Sequence, residues 1–86
     1  MFRLWGRMIK SGRLVRDMTV TRDDDTRTHR IVQGLAEICG EWNLAVPMWF
    51  ESNIKDFKRT NKVRFTQDNF VESIDFDYLE IRILEE

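Results

Sequence analysis

Apolar residues recur at two different spacings along this chain, and the changes of spacing mark its elements. Phe2 to Lys10 and Arg13 to Arg22 are strand-like runs, broken by Ser11-Gly12. A two-residue break of this kind predicts a β-hairpin. With a tight turn, Ile9 faces Leu14 and Trp5 faces Met18 across the ladder, both good cross-strand pairs. The same register sets Arg7 against Arg16, an unfavourable pair that leaves a longer loop open.

Ile31, Leu35, Ile38, Cys39 and Trp42 then follow at the spacing of one helical face, which predicts a helix from Thr26 to Trp42. Asp23-Asp24-Asp25-Thr26 ahead of it offers capping oxygens and negative charge, and Asn43 is a natural stop. Val46-Pro47-Met48-Trp49-Phe50 is a short apolar run whose proline excludes a central strand, leaving an edge strand or a packed connection. Ser52 can cap a second, shorter helix with Ile54 and Phe57 inward and Lys55, Lys58 and Arg59 outward. Lys62 to Thr66 reads as a brief strand and Gln67-Asp68-Asn69 as a turn. Asp75 to Glu85 alternates Leu79, Ile81 and Ile83 against Tyr78, Glu80 and Arg82, the pattern of a long terminal strand. The order predicts an α+β fold: an N-terminal β-hairpin, a long amphipathic helix, a short second helix and C-terminal strands, the sheet antiparallel with its helices on one face.

One feature of the pattern points outside the chain. In the hairpin, Phe2, Leu4, Met8 and Val15 oppose Trp5, Ile9, Leu14 and Met18, and Phe76, Tyr78 and Leu84 oppose Leu79, Ile81 and Ile83. Strands apolar on both faces usually have both faces covered. Two helices in so short a chain cover one. The expectation is therefore a homo-oligomer, a dimer, or a complex with another protein, formed over Trp5, Ile9, Leu14 and Met18.

Composition narrows the class. Ten aromatic residues among 86, at net charge −1, make a folded domain spanning 1–86 rather than a disordered segment. Cys39 is the only cysteine, so no intrachain disulfide staples the fold, as a secreted domain of this size commonly requires. The N-terminal residues lack the apolar core of a signal peptide, and no run approaches the ~20 apolar residues of a membrane span. A cytoplasmic protein without membrane contact is expected.

Charge is unevenly distributed. Arg3, Arg7, Lys10, Arg13 and Arg16 have no acid among them, and a second basic cluster holds Lys55, Lys58, Arg59, Lys62 and Arg64. The tail from Thr66 carries seven acids against Arg82 alone. The near-zero sum favours complementation within the chain. The segment from Lys55 to Arg64, interleaved with Phe57 and Phe65, is the alternative: a nucleic-acid contact through phosphates and stacked bases.

No motif of catalysis accompanies these features. His29 is the only histidine and has no nucleophile or ligand at useful spacing; a zinc site wants about four ligands. Cys39 lies on the apolar stripe of the first helix, where core packing explains it better than reactivity. Asp23-Asp24-Asp25 lacks the alternation and glycine of a calcium loop. Asp75 and Asp77 share a strand face, but carboxylates at a strand start are commonplace. Gly6, Gly12, Gly34 and Gly40 are too scattered for a phosphate loop. The expectation leans away from an enzyme, with no catalytic, cofactor-binding or metal-binding residue.

Arg64-Phe65-Thr66-Gln67-Asp68-Asn69-Phe70, running into Ile74-Asp75-Phe76-Asp77-Tyr78-Leu79-Glu80-Ile81, resembles a family of small bacterial proteins of unknown function. Leu4-Trp5-Gly6-Arg7 and Leu14-Val15-Arg16-Asp17 resemble the same family. The resemblance implies a self-contained bacterial protein and carries over no activity, ligand or site residue.

Overall fold

In the computed structural model, which describes residues 1–86, Ser11 and Gly12 close the first hairpin with φ of 53° and 75°. Two successive positive φ values are the signature of a type I′ turn, whose twist suits a two-residue hairpin. The Asp77 carboxylate fixes it, accepting the Ser11 N–H at 2.8 Å. The strands so joined are β1 (Phe2–Lys10) and β2 (Arg13–Arg22), followed by α1 (Arg27–Glu41), α2 (Glu51–Thr60), β3 (Lys62–Phe65), a single 3-10 turn at Gln67–Asn69 and β4 (Tyr78–Glu85). One antiparallel sheet orders them β2-β1-β4-β3. Both helices pack on the same face.

The hairpin register differs from the simple one. Ile9 pairs with Leu14 as expected, but Met8 pairs with Arg16, so Val15 bulges out of the ladder. Beyond the bulge every partner shifts by one. Arg7 meets Asp17 rather than Arg16, Trp5 meets Thr19, and Met18 falls opposite Gly6 on the helix side. A one-residue shift moves a side chain to the other face of a sheet. Trp5 and Met18 therefore do not share a surface, and the like-charge clash of the unbulged register is gone.

The core lies between the sheet and the helices. Leu4, Leu79, Ile81 and Phe65 from the sheet meet Leu35 and Ile38 of α1 and Phe57 of α2, all essentially inaccessible to water. Each such side chain contributes roughly 1.5–3 kcal/mol relative to exposure. Glycines let α1 approach: a Cβ on Gly6 would stand 2.8 Å from Ile38, and one on Gly34 would stand 2.9 Å from Leu4. Phe76, which precedes β4, turns into this core and stacks edge-on against Phe70 at 5.8 Å. It does not join Tyr78 on the opposite face.

Caps define the helices. Thr26 Oγ1 accepts the His29 N–H and caps α1, while Asp24 pairs with Arg22 and Asp25 with His29. The N-cap of α2 is Phe50 rather than Ser52, and no side chain caps it; Asn53 Oδ1 in the first turn reaches back to accept the Phe50 N–H at 2.9 Å. The run around Pro47 has no regular structure; it is a packed connection, with Pro47 buried. Asn69 clamps it by donating to Met48 O at 2.7 Å, and the Met48 N–H returns a bond to Asn69 O. Asn69 also donates to Asn53 Oδ1 at 2.8 Å, so two buried amides tie this connection to the start of α2.

Candidate functional site

The face of the sheet turned away from the helices is built from alternate residues of all four strands, with Asp17 and Thr19 coming from β2. Trp5, Arg7 and Ile9 come from β1, Tyr78, Glu80 and Arg82 from β4, and Lys62 and Arg64 from β3. Pairing sets them in rows: Trp5 beside Arg82 beside Lys62, then Arg7 beside Glu80 beside Arg64. Apolar residues are few here. Charge, not grease, covers the face.

Glu80 is the centre of it. Its side chain is wholly buried, under arginines rather than under helices. Arg7 Nη1 donates to Oε2 at 2.8 Å, Arg64 Nε donates to Oε1 at 3.1 Å, and Arg82 Nη2 stands 3.7 Å away. The Glu80 bond raises the affinity of the Arg64 guanidinium for its proton. Those guanidiniums rest on aromatic rings in turn. Arg7 and Arg82 lie 5.0 and 5.7 Å from the centre of Trp5, and Arg64 lies 4.6 Å from that of Tyr78. The Trp5 indole N–H donates to Asp17 at 2.9 Å, fixing the ring from β2. Arg7 of the first basic stretch and Arg64 of the second thus meet Glu80 of the acidic tail, while Arg3, Lys10, Arg13, Arg16, Lys58 and Lys62 make no ion pair.

Of the residues singled out for self-association, Trp5 and Ile9 lie on this face, with Leu14 paired to Ile9 at its margin; Met18 lies on the other side. The basic segment is divided by the fold. Lys62 and Arg64 reach the open face, whereas Lys55, Lys58 and Arg59 are exposed on α2. There Lys55 stands 3.9 Å from Glu51 and Arg59 stands 3.6 Å from Asp56.

The remaining candidates are absorbed by structure. His29 Nδ1 lies 2.7 Å from Asp25 Oδ1, exposed, and its bond holds the Asp25 carboxyl below the ordinary range. Asp24 takes two bonds from Arg22, which lower its pKa likewise. Cys39 is buried, and loss of water pushes its thiol up to about 11. Asp77 is exposed at the hairpin turn. No three His, Cys, Asp or Glu side chains come together as a metal site needs. No helix is long and apolar enough to cross a membrane. A shallow apolar groove of about 290 Å³ runs between the helices, lined by Ile31, Val32, Trp49, Ile54 and Phe57. Ile54, expected inward, stands partly exposed in it.

Sequence reasoning missed Glu80, Asn53 and Asn69. The one available signal for Glu80 was its place between Tyr78 and Arg82 on the polar face of an alternating strand. No protein-family model, curated protein or solved structure matches this chain.

Proposed function

We propose that this protein is a non-catalytic interaction module that self-associates in the cytoplasm, two copies joining along the outer edge of β2. The observation that carries this reading is the condition of that edge. The strand is ten residues long, seven of them exposed, and outside its ladder with β1 no backbone hydrogen bond reaches it. An unpaired edge of such length is a template for another strand. A second copy fits it antiparallel, with Met18 opposite Met18. Asp17 then faces Thr19 and Arg16 faces Val20, so no like charges oppose one another over the regular stretch that ends at the Val15 bulge. Leu14 and Met18 lie on the pairing strand, and Trp5 and Ile9 lie on its neighbour.

Light scattering on a size-exclusion run tests the reading. The expected result is a dimer mass that falls to a monomer when Val15 and Thr19, both exposed, are replaced by lysine. A wild-type chain that stays monomeric at every concentration sinks the proposal. So does a dimer indifferent to both lysines.

A further inference from the structure

Around Trp5 and Glu80 the open face carries more positive charge than its two carboxylates, Glu80 and Asp17, can answer, with Arg7, Arg64, Arg82 and Lys62 set against them. Three guanidiniums share Glu80, and Lys62 in the adjoining row makes no ion pair. This surplus stands in a chain whose net charge is −1. The Nε–H groups of Arg7 and Arg82 are buried and have no acceptor. Both guanidiniums lie against the half-buried Trp5, and that of Arg64 lies against the half-buried Tyr78.

We propose that this sheet face binds single-stranded nucleic acid, Arg82, Lys62 and Arg64 taking its phosphates and the Trp5 and Tyr78 stacks meeting its bases. A polyanion answers the surplus charge, and a phosphate oxygen is the acceptor that the Arg82 Nε–H lacks once that side chain turns outward, while Arg7 stays on Glu80. Aromatic rings and guanidinium planes both stack bases, without regard to sequence. A duplex keeps its base faces inside and gains the charge term alone. From β1 to β3 the face is about 10 Å wide, room for a few nucleotides. The cations of α2 take no part. The β2 edge lies to one side, so this proposal and self-association stand or fall separately.

Anisotropy of a fluorescein-labelled single-stranded DNA oligonucleotide, titrated with the full chain at low salt, tests it against the same oligonucleotide as a duplex. The single strand is expected to bind more tightly than the duplex, and more weakly as salt rises. Replacing Lys62 and Arg82 together by glutamine weakens binding by about tenfold, and Lys62→Gln alone by about threefold. The triple variant Lys55→Gln, Lys58→Gln, Arg59→Gln changes it by less than about twofold. Lys62 does not touch Glu80, so its variant keeps the test sound if Arg82→Gln fails to fold. Absence of binding, equal affinity for the duplex, or a loss confined to the α2 variant overturns the proposal.

Discussion

Glu80 and Arg7 are 73 residues apart in sequence and 2.8 Å apart on the sheet, the carboxylate sealed from water beneath an arginine whose side chain is one quarter exposed. Removing one partner of a fully buried ion pair costs about 3–5 kcal/mol. Here the arginines can turn to water, which moderates the penalty. Glu80→Gln is expected to lower stability by about 2–3 kcal/mol in urea unfolding. A midpoint equal to wild type would show that the arginines need no counter-charge.

The paired amides offer a second test. Asn69 donates to Met48 O and Asn53 Oδ1 and accepts from the Thr66 N–H; its own amide and that of Asn53 are buried, while Met48 and Thr66 reach the surface. Asn69→Leu leaves Met48 O and the Thr66 N–H without their partner and Asn53 Oδ1 with the Phe50 N–H alone, and is expected to cost about 1–3 kcal/mol. The connection around Pro47 should become protease-sensitive first. Uniform loss of protection across the chain would contradict a local clamp.

Two glycines should respond oppositely to alanine. At Gly6 the added methyl meets the buried Ile38 at 2.8 Å, so Gly6→Ala is expected to destabilise by about 1–3 kcal/mol. At Gly40, exposed in the last turn of α1, nothing lies within 4 Å. Gly40→Ala is expected to stabilise by about 0.5 kcal/mol. Thermal melts of both variants decide it; the same sign for both would refute the packing described for α1.

Cys39 should be silent while the chain is folded. Its thiol is pushed up to about 11 by burial, so little thiolate forms at neutral pH and a disulfide reagent cannot reach it. Labelling is expected to track global unfolding in denaturant. Fast labelling in native buffer would place the residue elsewhere. Because the folded thiol holds its proton more tightly than the unfolded one, whose ordinary value is 9.0, stability should fall as pH rises from 9.0 towards about 11.

At the acid end the sign reverses. Asp24 and Asp25 are held below their ordinary value of 3.8 by bonds from Arg22 and His29. Their contribution is complete above that value and lost as pH falls through the lower folded one. Asp24→Asn should flatten the acid limb of a stability–pH profile. An unchanged limb would mean that the pair with Arg22 gives nothing.

Local pattern was enough for α1, whose stripe from Ile31 to Cys39 needs only one helix to be recognised, and for the alternation of β4. It also placed both helices on one side of an antiparallel sheet. It failed where two strands had to be aligned. The bulge at Val15 leaves no mark in periodicity, yet it moves Met18 across the sheet. Glu80 was illegible for a related reason: a glutamate on the polar face of a strand reads as solvated until β1 and β3 bring Arg7 and Arg64 over it. Asn53 and Asn69 find each other only after α2 and the 3-10 turn have been placed.

The sheet order also sets a timetable. Its two inner strands, β1 and β4, are the first and last of the chain, with Arg3 paired to Glu85. During synthesis β1 can zip with β2 at once, but its other side waits for both helices and β3 to leave the ribosome ahead of β4. Until then Leu4 and Met8 have no β4 to pack beside, and α1 has half a platform. Such long-range closure slows folding. The emerging chain is therefore open to other strands for most of its making, when only the hairpin stands.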